Sequence, residues 1–261
     1  MLNVDMTPNR LGFKVTGDYD ALDELYDAVW ALTVADDDFE TARTPGTPDE
    51  QIMSTRLLAL CYDIRHAYQG DCGIELVDSG MTETLAEWHR LPYVEKNAAF
   101  SFNVLYPEAM YQLMALNYLI DRRKRLIAKK APSDALHAEE SMLDPAICTV
   151  RSYQSRLMEA LKTVASKGRF SRIREYAYAG YDSMPRVYGQ WVDVINCDYA
   201  FMTPKKRLEE LSTVVRDIAE CRRHDQYRDM VEKIDERALS LGCPREDIVV
   251  SMPDFPENQE W

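Results

Sequence analysis

The sequence lacks the short motifs that mark the common classes of enzyme. It has no GxxxxGK[ST] phosphate loop, no GxGxxG dinucleotide motif, no GxSxG nucleophile turn and no HExxH zinc helix. No cysteine and histidine have the spacing that is typical of a zinc site. We therefore expect no catalytic residue, no metal site and no cofactor, and the sequence favours a non-enzymatic function.

Long apolar runs and paired cysteines are missing as well. The longest apolar stretch, Ala109–Ile120, is interrupted by Gln112 and Asn117 and is shorter than the roughly 20 residues that span a bilayer. The first 15 residues contain no apolar segment of the kind found in a signal peptide. The six cysteines are dispersed, which predicts reduced and mostly buried thiols. We expect a cytoplasmic protein with no membrane contact.

Positive charge is scarce in the first half of the chain. Residues 1–120 carry 20 acidic and 7 basic residues, whereas residues 121–261 carry 24 of each. Within the second half, residues 122–174 hold 13 basic and 5 acidic residues, so an acidic front is followed by a basic middle. Such segregation governs how a protein meets its partners rather than which fold it adopts.

Three short segments show the alternation of apolar and polar side chains that is typical of half-buried strands. Their apolar positions are Leu11, Phe13 and Val15; Ile74 and Leu76; and Phe100, Phe102 and Val104. A fourth short strand at Ile248–Val250 is an alternative. The predicted fold is α+β and predominantly α, with a small antiparallel sheet of three or four strands packed by helices and continuing into a helical array.

Local signals predict where several helices begin and end. Asp18, Thr47, Asp144 and Thr203 have N-cap side chains, and proline directly follows the last three of them. Gly168 is expected to end the helix that starts after Asp144.

One predicted helix stands out because it is apolar nearly all round. It begins at Pro107 and continues to about Arg125. We expect it to be central, with Leu113, Leu116 and Ile120 almost fully buried.

No segment of low complexity separates two domains, so we expect one compact unit with two lobes that divide near residue 131. The first lobe is the acidic α+β part, residues 1–131. The second is a helical lobe, residues 132–252, and residues 253–261 form a loose acidic tail.

Two apolar segments of the acidic front resemble an uncharacterised family of bacterial proteins. One is the strand-to-helix step FSFNVLYPEAMYQLMALNYLI, residues 100–120, and the other is a DxLxELxDA-type helix that reads DALDELYDA over residues 20–28. The resemblance covers roughly residues 1–130. It implies a domain of unknown function and supplies no catalytic residue.

Two acidic groups match metal sites only in part. The run Asp36, Asp37, Asp38 and Glu40 lacks the glycine and the ligand spacing of a calcium loop, so we interpret it as a solvated loop. Glu75 and Asp78, followed by Glu95 and Lys96, lack the Glu-x-Lys pattern of a metal-dependent nuclease, and a charged outer sheet face explains them.

The basic middle supplies the candidate binding residues. They form two groups, namely Arg122, Arg123, Lys124, Arg125, Lys129 and Lys130, and then Lys167, Arg169, Arg172 and Arg174. To form one patch, the two groups must lie at the same end of the molecule. We expect this arrangement, because one short and one long helix between them can bring the chain back.

Two functions remain open. The favoured one is a non-catalytic intracellular binding protein that docks another protein, or a second copy of itself, through segregated acidic and basic surfaces. The alternative is a nucleic-acid-binding or nucleic-acid-processing protein that uses residues 122–174, where cations neutralise phosphates and interleaved aromatic rings stack on unpaired bases.

Overall fold

The computed structural model describes residues 2–34, 47–130, 134–179, 181–250, 254–256 and 260–261. Its strands are β1 (Asn3–Met6), β2 (Gly12–Gly17), β3 (Gly73–Asp78) and β4 (Lys96–Leu105). Its α-helices are α1 (Tyr19–Thr33), α2 (Pro48–Tyr68), α3 (Glu83–His89), α4 (Tyr106–Lys130), α5 (Asp134–Leu143), α6 (Pro145–Val164), α7 (Lys167–Ala179), α8 (Gly189–Ala200), α9 (Pro204–Ala219) and α10 (Asp225–Leu241). The fold is therefore α+β and predominantly α, as the sequence predicts.

The strands form one antiparallel sheet in the order β1-β2-β4-β3. The fourth strand is β1 at the N-terminus, so the alternative at Ile248–Val250 is wrong. In that segment the side-chain amide of Gln190 takes the place of a neighbouring strand. Gln190 Nε2 donates to the Ile248 carbonyl at 2.6 Å, and the Val250 amide donates to Gln190 Oε1 at 2.9 Å.

Helix α4 is the central element of the fold. It follows β4 without a loop, and Leu113, Leu116 and Ile120 are almost completely buried, as predicted. The Tyr106 amide donates to the Leu11 carbonyl at 3.0 Å, which fixes the start of α4 against the sheet. Because α4 is apolar nearly all round along its first half, sheet and helices can pack around it.

The predicted N-caps are confirmed. Asp18, Thr47, Asp144 and Thr203 each accept a hydrogen bond from a backbone amide in the first turn of α1, α2, α6 and α9 respectively. The predicted stop at Gly168 is wrong, because α6 ends at Val164 and Gly168 lies in the first turn of α7. A Cβ atom added at Gly168 would have no atom within 4 Å, so packing does not require glycine at this position.

The buried hydrophobic residues form one cluster that extends along the chain from Val4 to Ile248. Sheet, α4 and the later helices all contribute to this cluster, and Trp261 packs against it from outside. The division of the chain near residue 131, with lobes at 1–131 and 132–252 and a tail at 253–261, stays a prediction. Among the described helices, none combines the length and the apolar character needed to cross a membrane.

Candidate interaction surface

Among the residues that the structure describes, exposed apolar side chains are concentrated in residues 73–98, which we call the arm. The arm contains β3, α3 and the first three residues of β4. Eight of the nineteen large hydrophobic side chains that are exposed in the described residues belong to it: Ile74, Leu76, Val77, Leu85, Trp88, Leu91, Tyr93 and Val94. One tenth of the chain thus carries much of its exposed apolar surface, and such concentration marks interaction sites in folded proteins.

Strand β3 presents this surface because it is an edge strand that extends beyond the helices. Ile74 pairs with Phe100 in the register of β4, so Ile74 and Leu76 share the core face of the sheet with Phe100 and Phe102. Phe102 is buried, whereas Ile74 is 58% exposed and Leu76 is 69% exposed. The sequence correctly predicts the two faces of β3, but its expectation of half-burial is wrong, because the helices that cover this face over β1, β2 and β4 leave β3 exposed.

Helix α3 adds the largest exposed side chain of the arm. Thr82 caps the helix by accepting from the Leu85 amide, and Arg90 ends it in the left-handed conformation with φ of 56°. Ala86 is its one buried residue, so the helix is held mainly through this short side chain. Trp88 remains 77% exposed, and indole rings in that position are typical anchors of protein interfaces.

Acidic side chains surround the apolar residues of the arm. Residues 73–98 contain five acids and two bases: Glu75, Asp78, Glu83, Glu87 and Glu95 against Arg90 and Lys96. Glu75 forms an ion pair with Lys14 of β2, while Asp78 lies opposite Lys96 in the register of β4. Glu75 and Asp78 therefore face opposite sides of the sheet, which rules out their joint use as ligands of one cation.

No group of three or more acidic, histidine or cysteine side chains in the described residues is placed to hold a metal ion. The acidic run at Asp36, Asp37, Asp38 and Glu40 lies outside the described residues.

The first group of predicted basic residues is partly engaged inside the fold. An Nη atom of Arg122 donates to the Leu32 carbonyl at 2.9 Å, at the C-terminal end of α1. Arg123 Nε donates to Asp144 Oδ2 at 2.9 Å and so ties α4 to the start of α6. Arg125 pairs with Asp121 one turn earlier, at 3.3 Å. Burial lowers the pKa of Arg122, as expected for a cation that has left water.

The second group lies on α7, which runs beside α4, since the side-chain amide of Asn117 donates to the Ala177 carbonyl at 3.2 Å. Helix α6 begins beside Arg123 and continues antiparallel to α4, since Gln154 Nε2 donates to the Leu113 carbonyl at 3.0 Å. After α6 ends, Arg169 is close enough to Tyr106 to influence its pKa, although burial is what raises that pKa most. Tyr106 and Arg123 are 17 residues apart on α4, which corresponds to roughly 25 Å along a helix.

Arg169 and Arg123 therefore lie near opposite ends of α4, and a single patch that joins the two basic groups stays a prediction. Between the groups, the long helix α6 returns along α4 and carries the chain away from residue 125. Within the second group, Arg169 and Arg172 share one side of α7, and Lys167 and Arg174 share another. Ile173 and Ala177 are buried between the two pairs. Lys124, Lys129 and Lys130 continue along α4, which ends at Lys130.

A polar cluster at the junction of α2, α4 and α8 is the main ionic feature of the interior. Arg56 donates to both carboxylate oxygens of Glu108, at 3.1 and 2.5 Å, and to Asp193 at 2.8 Å. The side-chain amide of Asn196 donates to Glu108 Oε2 at 2.9 Å, and an Nη atom of Arg56 donates to the same oxygen. Arg56 belongs to α2, Glu108 to α4, and both Asp193 and Asn196 to α8, so the cluster ties three helices together.

Asp63 lies on α2 near this cluster and has an unusual acidity. Burial and the negative charge of Glu108 together raise its pKa to about 6, and His66 partly opposes the shift. Perturbed carboxylates occur in active sites as well as in structural networks. Burial and the charge of Glu108 account for the shift, so we interpret Asp63 as part of the structural network.

An open cleft of about 650 Å³ lies between the start of α2, the segment that precedes α8, and α10. Arginine and acidic residues line it together with Tyr188 and Tyr227. Several of these charges neutralise one another, as in the pair of Arg245 with Asp235 at 2.8 Å. The cleft therefore offers no convergent set of like charges for a charged ligand.

All six cysteines are free thiols in the structure, as predicted. Cys61, Cys197 and Cys221 are buried, and Cys72 and Cys148 are exposed. Burial raises the pKa of Cys61 to about 12, so this thiol is not a nucleophile at neutral pH.

Sequence reasoning missed the arm as a site. Its signal was present, because Leu85, Trp88 and Leu91 lie in a short segment between two strands where polar residues are usual. The sequence of that segment does not show whether distant elements cover its apolar side chains, so it does not distinguish a buried segment from an exposed one.

The chain belongs to the family described as "Domain of unknown function (DUF6904)", which matches it over residues 2–261. The predicted resemblance to an uncharacterised family is thereby confirmed, and it extends well beyond residue 130. Neither the curated proteins nor the solved structures contain a match to the chain.

Proposed function

We propose that this member of the DUF6904 family is a non-catalytic cytoplasmic binding protein that docks a protein partner, with the arm as the contact surface. The exposed apolar side chains of residues 73–98 carry the proposal. Trp88, Leu76 and Ile74 offer area that gains free energy when it leaves water. The acids around them favour a partner with a basic rim, because complementary potentials accelerate encounters.

The acidic character of the arm supports a protein partner over nucleic acid. Its five acids and two bases repel phosphates, so a nucleic acid would have to bind elsewhere. The apolar side chains instead match the composition of protein interfaces, where aromatic anchors are surrounded by a polar rim. The segregation of charge along the chain thus has a counterpart in one defined surface.

A pair of exposed-residue variants tests this function. Trp88→Ala removes the anchor of the arm, and Leu239→Ala removes an equally exposed side chain, 86% accessible, from α10. Bait proteins of both variants and of the wild type are incubated with native lysate, with and without nuclease, and the bound proteins are identified. We expect one partner to be retained by wild type and Leu239→Ala and weakened about 30-fold by Trp88→Ala, as for an interface anchor.

The result that would refute the proposal is equal retention of every partner by all three baits. Loss of the bound material on nuclease treatment alone would also refute it, since the contact would then depend on nucleic acid.

The second candidate function is nucleic-acid binding through α7. Lys167, Arg172 and Arg174 are exposed, and in the described part of the chain they form no ion pair. Tyr178 on the same helix is 42% exposed and could stack on a base. With three or four cations, the slope of log affinity against log salt should be roughly −2 to −3.6. A flat salt dependence, or the same affinity after Arg172→Ala and Arg174→Ala, would exclude α7 as that interface.

A further inference from the structure

We infer that the chain self-associates by pairing the free edge of β3 with the same edge of a second copy. The inference rests on the proposed function, because it names the partner of the arm. It starts from the position of β3, which pairs with β4 on one side and is the last strand of the sheet order. Six consecutive residues of β3 thus have backbone groups along an edge that no described strand covers.

The hydrogen bonds to β4 show which backbone groups lie along that edge. The Ser79 amide donates to the Glu95 carbonyl at 2.9 Å, directly after β3. Residues of an antiparallel strand alternate between bonding their neighbour and pointing away from it. Since Ser79 bonds toward β4, Glu75 and Val77 do so as well, and Ile74, Leu76 and Asp78 direct their N–H and C=O groups to the free edge.

A symmetric antiparallel pair places a chosen residue opposite itself, so only a few registers exist. With Leu76 opposite Leu76, Ile74 lies opposite Asp78 of the second copy, and all three outward residues exchange hydrogen bonds. With Glu75 opposite Glu75, two carboxylates oppose each other directly, which is unfavourable. With Val77 opposite Val77, Ile74 lies opposite Gly80, whose φ of 73° does not continue a strand.

The favoured register also matches the side chains. Ile74 and Leu76 of both copies lie on the core face and form one apolar stripe across the joint, while Glu75 lies opposite Val77 on the other face. No two acids are directly opposed. The pairing joins the two sheets into one of eight strands and covers the edge that folded proteins rarely leave open.

A second copy is a better occupant than an unrelated strand because β3 is complementary to itself in this register. A foreign strand would need its own apolar residue opposite Leu76 and no acid opposite Glu75. The acids of β3 do not prevent self-pairing, since Glu75 already has Lys14 as its ion-pair partner and Asp78 has Lys96 as its neighbour in β4.

Charge complementation at the two-fold axis tests the inference. Leu76→Glu and Leu76→Lys each put two like charges opposite one another, and both are surface changes, since Leu76 is 69% exposed. Sedimentation of the full chain from about 1 to about 500 μM should show a dimer for wild type. Each variant alone should dissociate at least about tenfold more readily, and an equimolar mixture of the two should regain the dimer. Leu239→Ala serves as the control and should sediment like wild type.

Two results would overturn the inference. One is a wild-type chain that stays monomeric over the whole concentration range, and the other is a mixture no more associated than its two components. If the chain is monomeric while Trp88→Ala still loses a protein partner, self-pairing is wrong and the proposed function stands. If the dimer forms and complements as expected but no bait retains a different protein, the second copy is the partner and the inference holds.

Discussion

Replacement of Asp63 by asparagine should stabilise the protein at neutral and alkaline pH but not in acid. Burial, together with the negative charge of Glu108, raises the pKa of this carboxyl from 3.8 to about 6. The folded state therefore holds the Asp63 proton more tightly than the unfolded state. The corresponding stability is fully present below pH of about 4 and is lost as the pH rises through about 6.

The magnitude follows from the size of the shift. A difference of about two pKa units corresponds to roughly 3 kcal/mol. Asp63 is only half-buried, so solvent screens part of the interaction and we expect about 1–2 kcal/mol. Asp63→Asn removes the cost of ionisation while keeping the shape of the side chain, so its free energy of unfolding should exceed that of wild type by this amount at pH of about 8.

The measurement is urea unfolding of wild type and Asp63→Asn from pH of about 3.5 to about 8.5. The difference between the two should be near zero at the acid end and grow through the range around pH 6. Asp229→Asn, which changes an exposed carboxylate on α10, is the matched control and should show no such growth. A difference that is independent of pH, or that favours wild type at high pH, would refute the reasoning.

The remaining predictions concern the hydrophobic core, the polar cluster at Arg56 and the cysteine thiols. Leu116→Ala should lower the free energy of unfolding by about 2–5 kcal/mol, because it leaves a cavity in the core beside α4. A loss below about 1 kcal/mol in a denaturant melt would contradict the central position of that helix. Arg56→Ala should cost about 3–5 kcal/mol, since it leaves the largely buried Glu108 carboxylate without its cation. Exposed Arg65→Ala on the same helix should cost at most about 1 kcal/mol in the same assay. Thiol titration should count six free thiols after unfolding, with Cys72 and Cys148 reacting first in the native protein; two or four thiols would contradict the assignment.

What the sequence predicts well in this chain is determined locally. The cap at Thr47 needs only the next three residues, since Glu50 closes the capping box and Pro48 occupies the first turn. The burial of helix α4 is equally predictable from the sequence, because a helix that is apolar nearly all round has to be buried wherever it lies. The α+β class follows from these local elements.

What the sequence did not predict depends on contacts between distant segments. Ile248–Val250 has the composition of a strand, yet Gln190 satisfies its backbone, and nothing near residue 248 indicates this. The alternation of β3 correctly assigns its faces but does not state that the helices stop short of it. The position of Arg169 near the start of α4 likewise depends on the direction and length of α6, which a list of charges does not contain.

The same distinction explains why the arm, and not the basic middle, is the better candidate surface. A charge counted along the chain acts on a partner only if the fold leaves it in contact with water. Arg122 and Arg123 lose much of that freedom, because the end of α1 and the start of α6 use them as internal hydrogen-bond donors. Trp88 and Leu76 stay exposed, although burying them would be favourable. Apolar side chains that a large available core has left uncovered, ringed by acids, are the feature of this molecule that a binding partner explains best.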